Sequence, residues 1–275
     1  KVKHLSYPVQ EQGGLIFAYM GPDRDDPPPL PKYGPLVDRG SQWQIEPVRH
    51  ADYNWFNFFE NSADPAHVCI LHRHAGYGQQ SWGNQFFSYT EMPSFEFVEM
   101  DYGMKVVMTK RGPKRGTEFV DEMSLALPSI VQVGDTEFVH AKMDAAALIK
   151  EGSQCEHWMF VTPNDDEHFM LFTADNYKGP EANFFEKLKA LREKETPVQE
   201  VMPYDKRKFM PYKGNVRKED LMTQGTQGLL GERSEHLSVS DRGVIKFRKI
   251  VVDAIETGLR GGRPKGMLDK KQANE

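Results

Sequence analysis

The stretch NWFNFFENSADPAHVCILHRHAG, residues 54–76, sets two acids, three amides and three histidines among aromatic and aliphatic side chains. Trp55, Phe58, Phe59 and Ser62 recur at offsets of three and four, which makes one mostly apolar helix face. Pro65 interrupts that pattern, so the spacing predicts a kink, or a restart with proline in the first turn. His67 and His72 stand five apart. On an unbroken helix the second would be turned about 140° from the first, a poor arrangement for one shared ion. A helix that ends or bends near Leu71 would let them converge. Two imidazoles underfill an octahedral ion, and a carboxylate from elsewhere would complete a 2-His-1-carboxylate face. The competing reading is a pair of helix-end histidines satisfied by nearby backbone or carboxylates.

The rest of the chain narrows the context. Its 275 residues, 39% hydrophobic and 11% aromatic, suffice for a sizeable core. Thirty-five basic and 40 acidic side chains leave a formal charge of -5, and without a basic stripe nothing asks for a nucleic-acid partner. Cys69 and Cys155 form neither a close metal pair nor a disulfide framework, and they read as small buried hydrophobes in a cytoplasmic chain. No apolar run approaches the roughly 20 residues that cross a bilayer, so no membrane association is expected. The chain opens on Lys1 and runs at once into LIFAYM, residues 15–20, a strand that needs partners. That abrupt start suggests a fragment of something longer, in preference to a processed terminus.

Further along, PDRDDPPPLPKYGP, residues 22–35, is too rich in proline for helix or central strand and reads as a crossing segment or linker. Residues 84–111 alternate polar and apolar positions around a turn at Asp101–Gly103, the pattern of a β-hairpin. SLALPSIVQVG and TEFVHAKMDAAALI continue the strand signal. CEHWMFVTPNDDEHFMLFTADNY, residues 155–177, gives a second hairpin, with its turn at Pro163, Asn164, Asp165 and Asp166. Residues 179–195 suggest a helix with mixed charges on its wet face. SDRGVIKFRKIVVDAIETGLRGG closes the chain with a helix whose Val244, Phe247, Val251 and Ile255 keep helical spacing. Consecutive strands are joined by turns, which excludes a βαβ series. The expected class is α+β, a large antiparallel sheet flanked by helices.

ENSADPAHVCILH resembles the iron-binding stretch of the Rieske non-haem iron oxygenases, whose catalytic domains carry an acid three residues before the first ligand histidine. The resemblance makes His67 and His72 the ligand pair and Asp64 that acid. The third ligand it implies is an aspartate at the start of a later helix, and GNVRKEDLMTQGTQG supplies Asp220, 148 positions after His72. Glu219 is the rival to Asp220. One of the two should ligate and the other face solvent or an interface. SEHLSVSDRGVIKFRKIV is similar to the family's closing helix, and YPVQEQGGLIFAYMGP to the segment where the Rieske domain hands over to the catalytic domain. The implied division is 1–21 as the tail of a truncated Rieske domain and return strand, 22–40 as linker, and 41–275 as the mononuclear iron catalytic domain, of helix-grip (START-like) type. That electron-input domain binds a [2Fe-2S] cluster through two Cys-x-His type motifs, and the two cysteines lack the spacing for them. The cluster is thus expected in a full-length protein, with its ligands outside this chain.

In the family, the residue matching Asp64 hydrogen-bonds a ligand histidine and links it to the Rieske cluster of a neighbouring subunit. An acid just before proline also suits an N-cap. Asn61 falls where family members place an amide near the iron, and a buried helical asparagine is the plainer reading. Aromatic residues from Phe86 to Phe97 and around Trp158 are pocket candidates, whereas Trp55, Phe58 and Phe59 suit helix packing. Arg111, Arg115 and Lys142 are candidates for a substrate carboxylate. The resemblance is to the phthalate-dioxygenase-like branch. It implies O2 activation at Fe(II), electrons from a ferredoxin or flavin reductase, a homotrimer, and hydroxylation or O-demethylation of an aromatic substrate rather than cis-dihydroxylation. The alternatives are a non-catalytic helix-grip domain for an apolar or aromatic ligand and, third, a zinc hydrolase, for which no clear general base stands out.

Overall fold

The computed structural model describes residues 4–37, 40–72, 92–111, 118–134, 154–192, 216–269 and 271. Strands β1 (Val9–Gln12) and β2 (Leu15–Ala18) form a separate two-stranded sheet. Gly13 and Gly14 both hold positive φ, 60° and 85°, as a two-residue hairpin turn of this kind demands. Within the proline-rich segment a single turn, α1 (Gly34–Val37), buries Pro35 and Leu36.

Among the described residues the main sheet has eight antiparallel strands: β3 (Gln42–Ile45), β4 (Arg49–Ala51), β5 (Ser94–Met100), β6 (Gly103–Arg111), β7 (Glu118–Ala126), β8 (Ile130–Val133), β9 (Gln154–Pro163) and β10 (Phe169–Lys178). Their order is β3-β10-β9-β8-β7-β6-β5, with β4 also on β10. Both hairpins expected from the sequence are present. In the second, Pro163 pairs with Phe169, and the Asp165 carboxylate accepts from the backbone N–H groups of Glu167 and His168 to fold the turn. TEFVHAKMDAAALI, read as strand, lies outside the described residues.

Alternation along β8, β9 and β10 gives the sheet two apolar faces. Val131, Met159, Val161, Phe169 and Leu171 point to one core, shared with helices α2 (Trp55–Ala63) and α6 (Arg242–Leu259). Ile130, Trp158, Phe160, Phe172 and Ala174 point to the other, covered by Phe17, Tyr33 and Leu36 from the first segment. Trp158 therefore faces away from the helices and does not line a pocket on their side, because its strand neighbour Met159 takes the inward position. Helix α3 (Ala66–Ile70) follows α2, with Pro65 as its N-cap. Helix α4 (Phe184–Arg192) starts later than residue 179, after Asn183 at φ 55°. Helix α5 (Val216–Thr226) lies alongside α2.

Helix α6 buries Val244, Phe247 and Ile250 but leaves Ile255 56% exposed, so its inward stripe stops short of the expected position. The Phe59 and Phe247 rings stack at 5.6 Å and are fully buried, each worth about 1.5–3 kcal/mol of apolar burial. A Cβ at Gly243 would lie 2.1 Å from the Ala63 carbonyl oxygen and 2.3 Å from Phe97, so only glycine lets the start of α6 reach the end of α2.

Candidate metal centre

Helix α2 buries polar groups as well as aromatic ones: Asn57, Glu60 and Ser62 are all shielded. Each has a partner. Asn57 Nδ2 donates to the Gln224 carbonyl on α5, Ser62 Oγ to the Phe58 carbonyl, and Glu60 accepts from Arg233 and Arg248. Tyr53 Oη donates to Gln224 Oε1 at 2.6 Å, a second tie between α5 and the start of α2. These bonds set α5 beside α2, and they bring the first turn of α5 to Asn61 and the two histidines.

The chain breaks where the spacing of the histidines requires it. Helix α3 ends at Ile70 with Leu71 as C-cap, so His72 lies just past the last turn while His67 stays on it. Their rings meet edge to face at 5.1 Å. Asp220 Oδ1 sits 3.0 Å from His72 Nε2 and 3.5 Å from His67 Nε2. Ligand atoms at about 2.1 Å from one ion and at right angles are themselves about 3 Å apart, so these separations suit adjacent corners of a coordination shell. Among the described residues, these three are the group of metal-type donors that converges on one point, all within 4.8 Å. A mononuclear Fe(II)-type ligand set, His67, His72 and Asp220, is present.

The remaining ring nitrogens are held differently. His67 Nδ1 is hydrogen-bonded to the Asp64 backbone carbonyl. The Asp64 carboxylate accepts instead from the Ala66 N–H at 3.1 Å, an Asx-turn contact made from one residue ahead of the N-cap Pro65 rather than from the N-cap position itself. Burial pushes the Asp64 carboxyl up, against the opposing pull of nearby His67. The structure thus joins Asp64 to the ligand histidine through its main chain. Glu219 faces neither solvent nor an interface: it is buried, and its Oε2 lies 2.8 Å from His72 Nδ1. The two adjacent acids point about 100° apart on α5, but His72 lies between them and takes one on each nitrogen. The consecutive Glu219-Asp220 pair was the available signal, and a choice between the two hid it.

Asn61 Nδ2 lies 3.3 Å from Asp220 Oδ1 and 3.2 Å from His67 Nε2, which puts the amide against these donor atoms. Burial lowers the pKa of His72, but hydrogen bonds to Asp220 and Glu219 outweigh it and lift the value to about 9. A proton on Nε2 occupies the position a metal would take. Cys69 is fully buried on α3 and outside the cluster. Arg111 is exposed at the end of β6, while Arg73, His74, Arg115, Lys142 and Phe86 lie outside the described residues.

One Cys-x-His triplet, Cys155-Glu156-His157, does stand in the sequence, and Cys69-Ile70-Leu71-His72 is its nearest companion. They cannot act together as a cluster motif. His72 belongs to the triad, His157 Nδ1 is 2.5 Å from buried Asp175, and the two cysteines are buried on separate elements. A paired Rieske cysteine motif is absent from this chain.

Comparison with known proteins agrees with this geometry. The phenoxybenzoate dioxygenase alpha subunit of Ectopseudomonas oleovorans is 29% identical over 277 residues, covering 95% of this chain and 60% of that protein. The 5,5'-dehydrodivanillate O-demethylase oxygenase subunit of a Sphingobium species is 25% identical, covering all of this chain and 58% of that one. In sequence and in its triad of donors, this chain is similar to the catalytic part of Rieske-type non-haem iron oxygenase alpha subunits. It spans about three-fifths of the length of these curated relatives. No family model matches it. At the level of fold, NdmA of Pseudomonas putida CBB5, solved with caffeine, superposes with a TM-score of 0.60 at 14% identity, covering 93% of this chain and 63% of that one. Dicamba monooxygenase bound to dicamba gives 0.59 at 16% identity, covering 92% and 70%.

Proposed function

We propose that this chain is the oxygen-activating portion of an oxygenase that hydroxylates or O-demethylates an aromatic, methoxylated or carboxylated substrate. The observation that carries the reading is the convergence of His67 Nε2, His72 Nε2 and Asp220 Oδ1. Three donors on one side leave room on the other for water, O2 and a neighbouring substrate. Bound Fe(II) would supply reductive O2 activation. The protein's own part is orientation. The Asp64 carbonyl holds His67 by its far nitrogen, Asn61 offers an amide beside the ligand atoms, and the apolar packing of α2 and α6 keeps the histidines' platform rigid.

Electrons would come from a ferredoxin or flavin reductase through a [2Fe-2S] centre whose ligands are outside this chain. Asp64, half-buried beside His67, is the proposed contact for that donor. A homotrimer and a helix-grip description of the sheet and its long closing helix complete the proposal. The two buried cysteines suit a reducing cytoplasm, and no described helix is long and apolar enough to cross a membrane. The names of two relatives, a 5,5'-dehydrodivanillate O-demethylase oxygenase subunit and a phenoxybenzoate dioxygenase alpha subunit, support an oxygenated aromatic substrate.

The test is anaerobic loading with Fe(II), addition of nitric oxide, and EPR with and without a panel of methoxyaromatics and aromatic acids. The expected result is a high-spin ferrous-nitrosyl signal at about one per chain, as an open mononuclear site gives. It should vanish in His67→Ala and Asp220→Ala and shift with one substrate group. A folded protein with no signal would leave the helix-grip ligand-binding reading in its place. A signal indifferent to every aromatic would keep the iron and remove the substrate class.

A further inference from the structure

Resting on the metal-site reading above, we infer that Glu219 is the positioning residue that fixes His72 as a ligand. The two ligand histidines are supported in unequal ways. His67 leans on a main-chain carbonyl and is partly accessible, with 14% of its side chain exposed. His72 is 2% exposed, and its Nδ1 meets a carboxylate that is itself 5% exposed, at 2.8 Å. The ring is gripped along its edge by two consecutive acids of one helix, Glu219 on Nδ1 and Asp220 on Nε2.

This arrangement has three physical consequences. A carboxylate on Nδ1 demands an N–H there, so the neutral ring must present its Nε2 lone pair to the site. The same hydrogen bond stops the ring from flipping about its χ2 axis, which would exchange donor and acceptor. A charged acceptor also makes the imidazole more basic and a stronger donor than one held by a neutral carbonyl. His72 is therefore the anchoring ligand and His67 the more adjustable one. Glu219 does this without touching the metal position, and it shares a helix turn with the ligand it assists. Packing couples the two further: Thr223 Oγ1 bonds to the carbonyls of both Glu219 and Asp220, so that turn of α5 moves as one piece.

The test uses purified full chain and Fe(II) alone, titrated anaerobically against a competing chelator, with circular dichroism to confirm folding. Glu219→Ala should weaken Fe(II) binding by about 10- to 100-fold, the usual cost of removing a partner behind a metal-bound histidine. Glu219→Gln keeps an oxygen to accept from Nδ1–H and should recover most of that loss. His67→Ala is the reference for loss of a ligand. In the wild type loaded with Zn(II), 15N NMR of the histidines should show His72 bound through Nε2, with a strongly downfield Nδ1–H that does not exchange rapidly. This last measurement needs no variant, so a misfolded Glu219→Ala would not shield the inference. Wild-type affinity in a folded Glu219→Ala, or His72 bound through Nδ1, overturns it and leaves the proposed function standing. Failure of the wild type to bind Fe(II) or Zn(II) would instead remove the metal site, and this inference with it.

Discussion

Two polar clusters meet helix α2 at consecutive residues, Glu60 and Asn61, on faces about 100° apart, and they are built on different electrostatic terms. Glu60 meets Arg233 at 2.6 Å and also Arg248, while Glu235 bonds Arg248 at 2.6 and 2.8 Å. Two carboxylates face two guanidiniums. Arg248 draws the Glu235 carboxyl below its ordinary range. Next door, the Asp220 carboxylate faces Asn61, His67 and His72, and among the described residues none of these partners has a permanent charge. The first cluster is complete as it stands and locks α2 to the closing helix. The second is complete only with a proton or a metal ion. Opposite charge alone does not make a site; a carboxylate faced by groups of adjustable charge does.

If that contrast is sound, mutation should separate iron from stability. Asp220→Asn should abolish stoichiometric Fe(II) uptake, measured by metal analysis after desalting, yet leave the metal-free protein's melting temperature close to wild type above pH 9, where His72 has lost the proton that Asp220 holds. A large loss of stability would mean that Asp220 is structural. Glu60→Ala should do the reverse. Removing one partner from a buried ion pair costs about 3–5 kcal/mol. For a chain of this size that corresponds to a fall of about 10 °C in melting temperature by calorimetry. The folded fraction should still take up iron, and if it does not, the two clusters are one functional unit.

A pH series sharpens the comparison. In the metal-free protein His72 titrates at about 9, against an ordinary 6.5. Its contribution to stability is therefore fully present below pH 6.5 and lost as pH rises through 9. Fe(II) must displace that proton, so the melting-temperature gain on adding iron should widen between pH 6.5 and 9. A gain that is flat across this window would place the proton elsewhere. Smallest of all, Asp64→Asn keeps a side-chain oxygen for the Ala66 N–H and leaves the main-chain carbonyl on His67, so stability should change by less than about 0.5 kcal/mol. Iron affinity should match wild type in a chelator competition. A weakened affinity would show that the carboxylate, not the main chain, orients the histidine.

Much of this was legible from residue types. The two hairpins announced themselves through alternation and turn residues, and the break between α2 and α3 through Pro65. The ligand set came from resemblance rather than spacing, since five residues on a continuous helix would have argued against it. What stayed hidden depended on directions that letters do not encode. Whether Asp64 uses its side chain or its carbonyl is a matter of one backbone torsion, and whether Glu219 points inward depends on where His72 sits relative to α5. Trp158 illustrates a third limit, because in a strand buried on both faces a single residue's parity decides which cavity it borders. Ile255 illustrates a fourth: the apolar spacing of α6 continues past the last of its buried positions, Ile250.

The contact between His72 and Glu219 joins positions 147 apart in the chain. Strands β5 through β10 all lie between them, so closing this contact requires most of the sheet to be in place. The order of assembly follows. A loop of that length is closed late and cannot nucleate folding, and the local pair His67 and His72 offers only two donors before then. Iron is thus a last-minute fastener rather than a template: Fe(II) should leave the refolding rate unchanged and slow unfolding, by stapling two distant parts of a chain that has already found its shape.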